Sequence, residues 1–137
     1  MKYQHPQDLP GFEASARERL ERLAQFAETI APEILTFTKW YGHGKGCAVG
    51  LAAATDPWFQ AQGLGLRHNE NLKECQPIYR EFQDWRAVSK FFALSMDDAR
   101  KLFSQDGYGA ELRPHPKQVA ENIRRHLTGT ALELEMA

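Results

Sequence analysis

Apolar positions recur at helical spacing along the first quarter of the chain. Ala16, Leu20, Leu23, Ala27, Ile30 and Ile34 follow one another at intervals of 4, 3, 4, 3 and 4 residues, the stripe of one amphipathic helix over residues 13–31. Arg17, Glu18, Arg19, Glu21, Arg22 and Glu28 fill its other faces. Ser15 with Glu18 three positions on reads as a capping box, and Pro32 ends the regular hydrogen bonding. Residues 47–54 predict a short helix with no polar face, and such a helix is normally buried. Thr55-Asp56-Pro57-Trp58 supplies an N-cap and a proline at the first helical position, predicting another short helix that ends at Gly63. Further on, Trp85, Val88, Phe91 and Phe92 give the inner face of a helix from Asp84 to near Leu94. Ser95 then caps the next one, whose first turn holds Asp97 and Asp98 and whose inner face is Ala99, Leu102 and Phe103. Residues 104–112 form a loop. Pro116 opens a last helix with the stripe Val119, Ala120, Ile123 and Leu127, and Gly129 ends it.

Two stretches break this rhythm. Residues 40–47 carry Gly42, Gly44 and Gly46 at alternate positions and read as a loop. Residues 64–82 are the least helical: Leu64, Leu66, Ile78 and Phe82 flank the polar run His68-Asn69-Glu70-Asn71. Two short strands pairing as a hairpin fit there, with Pro77 tolerated only at an edge. The fold expected is mainly α, a compact single-domain bundle of five or six helices over residues 13–129 with a short β-hairpin near 64–82. The helix at 47–54 sits at its centre, wrapped by the first, later and last helices. Residues 1–12 form an extended arm and residues 130–137 a frayed tail.

Composition narrows the function more than the fold. The 137 residues suit one domain, with 42% hydrophobic and 26% charged residues. Mean hydropathy is −0.56, and no apolar run approaches the ~18–20 residues of a membrane span. The opening MKYQHPQDLPGF lacks the apolar core of a secretory signal. Only Cys47 and Cys75 are present, too few for a disulfide scaffold, so a reducing, cytoplasmic setting is expected. Formal net charge is −1, and the balance holds by segment, at −1, +1, −2 and +1 over residues 1–43, 44–80, 81–112 and 113–137. No basic lobe is concealed, which argues against nucleic acid as a partner.

Among candidate chemical groups Cys47 stands first. It lies where a glycine loop enters a helix, and a helix N-terminus favours a thiolate. His43 is four residues earlier and His68 lies on the expected hairpin, so a cysteine hydrolase or amidase of papain-like arrangement can be drawn. Against it, Ala48, Val49 and Leu51 surround Cys47 with apolar neighbours, and a free Cys is commonly a small buried hydrophobe. Gly42-His43-Gly44-Lys45-Gly46 falls short of a P-loop, because Lys45 is followed by Gly46 and Cys47 rather than Ser or Thr. His5, His43, His68, His115 and His126 are scattered, so neither a metal nor a cofactor site is expected. Residues 88–103 have the lengths of a helix-turn-helix, but Asp97 and Asp98 stand where phosphate and base contacts belong. Lys117, Arg124, Arg125 and His126 give the last helix a basic face that the dipole favours near a C-terminus without any ligand.

A set of short motifs resembles a group of small bacterial and phage-encoded proteins of unknown function. Gly46-Cys47-Ala48-Val49-Gly50 matches their "GCAxG" helix, and Gly63-Leu64-Gly65-Leu66 a following "GL.L" segment. Phe91-Phe92-Ala93-Leu94-Ser95 with Ala99, Leu102 and Phe103 matches an "FFGLS…EA..LF" helix pair, with Ala93 in place of Gly. Many members carry a second Cys just before the GCAxG cysteine, and residues 40–45 have none. The resemblance spans about residues 14–128. It implies an α-rich fold and transfers no catalytic residue. Taken with the mixed charge, the expected function is a non-enzymatic accessory or protein-interaction domain, with a protein partner or self-association. The Cys47 hydrolase is the alternative and a helix-turn-helix regulator the third reading.

Overall fold

The computed structural model describes residues 13–136, with side chains through Gly129; the expected arm over 1–12 lies outside them. Among the described residues there are six α-helices and a five-stranded antiparallel sheet, so the fold is mixed α/β rather than a helical bundle. The helices are α1 (Ala16–Thr29), α2 (Ala48–Thr55), α3 (Pro57–Ala61), α4 (Asp84–Phe92), α5 (Met96–Phe103) and α6 (Pro116–Met136). The strands are β1 (Tyr41–Gly42), β2 (Lys45–Gly46), β3 (Gly65–Asn69), β4 (Glu74–Tyr79) and β5 (Phe82–Gln83).

Local chemistry explains the helix starts. The Glu18 N–H donates to Ser15 Oγ at 3.1 Å, the Trp58 N–H to Asp56 Oδ1 at 2.8 Å and the Asp98 N–H to Ser95 Oγ at 3.0 Å, each satisfying a donor that the first turn leaves free. The last helix departs from expectation. It runs through Gly129 to Met136 instead of stopping there, since glycine weakens a helix by only about 1 kcal/mol when the rest of the sequence continues it.

The sheet is the larger correction. Its order is β2-β1-β4-β3, with β5 sharing the β1 edge of β4. The hairpin expected over 64–82 is present as β3–β4, in a register that sets Leu66 opposite Pro77 and His68 opposite Cys75. The glycine run forms a second hairpin, not a loop. His43 (φ 53°) and Gly44 (φ 76°) make its two-residue turn, and left-handed backbone at both central positions suits a tight hairpin. Pro77 sits in a central strand, contrary to the edge expected for it. On the far edge of β4, β1 pairs at Cys75 and β5 at Ile78 and Tyr79. Pro77 falls in the gap between them, where no ladder needs its missing N–H.

The buried helix α2 is central, but not wrapped as expected. Its main neighbours are α1, α3 and the strands β1 to β4, while α6 packs along α1 and α5. Val49, Ala52, Leu23, Ala27 and Phe59 are buried between these layers. An aromatic chain runs through the core, Phe26 to Phe59 to Phe91 to Phe92 to Phe103, with centroid separations of 4.8 to 6.3 Å. Among the described residues no helix is long and apolar enough to cross a membrane.

Candidate functional site

Two clusters of chemically capable side chains emerge from this fold. The first surrounds Cys47, the residue immediately before α2. The Trp40 carbonyl lies against the start of this helix and accepts from the Cys47 N–H at 3.2 Å, with Cys47 Sγ 3.9 Å away. Gly46 and Gly50 leave room for that carbonyl: a Cβ on either would stand 2.1 or 1.8 Å from the Trp40 oxygen. Beside this contact a cleft of about 190 Å³ opens between Trp40 and Trp85, with Lys39 and Glu74 in its walls. The two indoles meet edge to face at 4.7 Å, and the backbone N–H of Trp40 donates to Glu74 Oε2 at 3.1 Å.

Cys47 is 2% exposed, and burial pushes its thiol from about 9 up to about 11. Backbone N–H groups of Val49 and Gly50 pull the other way, while the Glu74 charge adds to the rise. The helix N-terminus therefore acts in the direction expected, but desolvation outweighs it. A group whose pKa is raised by folding stabilises the native state below its unfolded pKa and loses that contribution as pH climbs towards the folded value. Stability is thus expected to fall by about 1.3 kcal/mol between pH 8 and 10 through Cys47 alone, reaching about 2.3 kcal/mol by pH 11. Tyr108, raised by burial to about 12, adds its own loss mainly above pH 10. Denaturant titrations across this range, compared with Cys47→Ala, check the assignment: the variant should lack the loss below pH 10.

The sheet does not bring the expected imidazoles to Cys47. His43 is exposed in the β1–β2 turn. His68, Cys75, Tyr41 and Gly46 form one row across β3, β4, β1 and β2, so three strand spacings, about 14 Å, separate His68 from the residue before Cys47. His68 Nδ1 instead lies 3.9 Å from Cys75 Sγ, on the facing strand. Among the described residues lining the Cys47 cleft there is no histidine. The thiol–imidazole neighbours are the pair that sequence spacing did not single out, because only the register of β3 on β4 brings them together.

The remaining candidates have local roles. Lys45 is exposed on β2, and the His115 imidazole accepts from the Lys117 N–H at 3.1 Å at the start of α6. Among the described residues no three His, Cys, Asp or Glu side chains are grouped to hold a metal ion. In the α4–α5 pair, Lys101 is ion-paired to Asp97 at 3.0 Å and the Arg100 guanidinium lies 5.9 Å from the Trp85 ring centre. Arg124 of the basic α6 face pairs with Glu28 of α1, holding that carboxyl below its usual range.

The second cluster centres on Arg19, which helical spacing placed among the solvent-facing charges. It is 4% exposed. Its Nε and Nη2 donate to Gln62 Oε1 at 3.4 and 3.2 Å, and its Nη1 donates to the Phe91 carbonyl at 2.9 Å and to Tyr79 Oη at 3.5 Å. The guanidinium carbon lies 4.2 Å from the Phe91 ring centre and 5.4 Å from that of Tyr79. Each of these partners is neutral, and among the described residues no carboxylate lies within ion-pair distance of Arg19. A buried cation without a counter-charge loses several kcal/mol of hydration, against which each π face returns ~2 kcal/mol or more when desolvated. A cleft of about 230 Å³ opens beside it, bordered by Glu13, Gln62, Gly63, Tyr79 and Arg80. The sequence held one signal for this burial: Arg19 is three residues after Ala16 and four before Leu23, on the margin of the apolar stripe.

Comparison of the chain with known protein families, with curated proteins and with solved structures finds no match.

Proposed function

We propose that this protein is a non-enzymatic accessory domain of bacterial or phage origin that works through protein interaction, with self-association included. The observation that carries this reading is the setting of Cys47. Its thiol is buried, raised to about 11 and lined by indoles, whereas a catalytic thiol needs a lowered pKa and a base within reach. The balanced surface charge and the engagement of Lys101, Arg100 and Arg124 with partners on the protein itself favour a protein partner over a polyanion. Two cysteines free of any disulfide accord with a reducing, cytoplasmic setting.

The test is thiol-dependent turnover. With p-nitrophenyl acetate and a panel of acyl amides, wild-type protein, Cys47→Ala and Cys75→Ser are all expected to give the same background rate. Turnover that either substitution removes would overturn the reading in favour of a cysteine hydrolase.

A further inference from the structure

We infer that the Arg19 cleft is a binding site for a monocarboxylate. Three features of the cleft point to this ligand chemistry. A guanidinium has five N–H donors in a planar fork, and the neutral oxygens of Gln62, Phe91 and Tyr79 engage four of those on Arg19. One Nη2 N–H and the whole positive charge are left for a partner that the described residues do not supply.

The walls select the charge of that partner. Arg80 lines the same cleft and lies over the Tyr79 ring at 4.9 Å, while Glu13 pairs with it at 3.1 Å. Two cations and one carboxylate leave one net positive charge, which a monoanion neutralises. A sulfate or phosphate dianion would overshoot it and face Glu13. The one free Nη2 N–H can donate to one carboxylate oxygen, and the Arg80 guanidinium borders the same cleft.

Glycine keeps the entrance open. Gly63 has φ +97°, a conformation that L side chains rarely adopt, and a Cβ there would lie 3.4 Å from the Tyr79 ring. The cleft of about 230 Å³ is smaller than a typical drug-sized pocket, so it holds the carboxylate and a short apolar stem against Ala61 and Tyr79. Either a free small acid or the C-terminus of a peptide presents that chemistry.

The test is titration of the full chain with sodium benzoate, N-acetylglycine and sodium sulfate at constant ionic strength, read through the Arg19 Nε–H resonance and the melting temperature. Saturable benzoate or N-acetylglycine binding is expected, with a dissociation constant of about 1 mM. Arg80→Gln should weaken it at least fivefold, and Glu13→Gln should tighten it severalfold. A peptide acid binding more tightly than both its own amide and N-acetylglycine identifies a chain terminus; equal binding of N-acetylglycine identifies a free acid. No saturation by about 50 mM, a stronger response to sulfate than to carboxylates, or wild-type affinity in Arg80→Gln would each overturn the inference.

Discussion

Gly50→Ala is expected to destabilise the protein by about 4 kcal/mol, lowering its melting temperature by roughly 15 °C. The new methyl carbon would stand 1.8 Å from the Trp40 carbonyl oxygen, 2.6 Å from its carbon and 3.3 Å from Tyr41 Cβ. Backbone lies on both sides of this contact, so no side chain can swing away. Either α2 must lift off β1, opening the core around Val49 and Ala52, or the strand must shift and surrender its pairing with β2 and β4. Core overpacking by one carbon typically costs 1–3 kcal/mol where side chains can adjust, and here they cannot. Gly129→Ala is the matched control. Its Cβ meets nothing within 4 Å inside α6, so the same substitution should add up to about 1 kcal/mol. Chemical denaturation of the two variants measures both effects. A loss below 1 kcal/mol for Gly50→Ala would mean that the Trp40 carbonyl does not seat against α2.

The second large effect is in thiol reactivity. Under native conditions at pH 7.5, N-ethylmaleimide should modify Cys75 at least about 100-fold faster than Cys47. Raising a thiol from about 9 to about 11 alone lowers its thiolate fraction about 100-fold. Burial slows Cys47 further, because reagent must await local opening of the α2 start. Cys75 lies part-exposed on β4 beside His68 and needs no such opening. Proteolysis and mass spectrometry after timed quenching give the two rates separately, and denaturant should bring them together. Equal native rates would show that Cys47 is accessible and would undo the reasoning that sets it aside as a nucleophile.

Cys47 and Arg19 mark how far the candidate sites were legible. The burial of Cys47 could be anticipated from Ala48, Val49 and Leu51, and so could the short helix that follows it. What decided its chemistry was the competition between a helix N-terminus and desolvation, whose outcome depends on Trp40 from the adjoining hairpin and on Glu74 and Trp85 from distant segments. Arg19 was misplaced for a related reason. A residue on the margin of an apolar stripe is buried or exposed according to how wide a face its neighbours cover, and α4 and the turn at Gln62 cover this one. His68 and Cys75 carried no local sign of meeting, since they stand seven positions apart on opposite sides of a turn.

The same division runs through the fold. By itself the sequence determined α1, the apolar α2, the α4–α5 pair and the start of α6, because helix hydrogen bonds join residues four apart and their caps lie within the same turn. It also marked β3–β4, a hairpin between neighbours in the chain. Only the tertiary structure decided that β1, β2 and β5, at two residues each, are strands at all. Two residues have no readable alternation, and β1 gains its place by pairing with Cys75, 34 residues away from Tyr41. Those pairings turn the expected bundle into a mixed fold, separate Cys47 from His68 and put Tyr79 beside Arg19. Strand partners and buried charges are settled by which surfaces cover one another, a property of the assembled chain that no local pattern encodes.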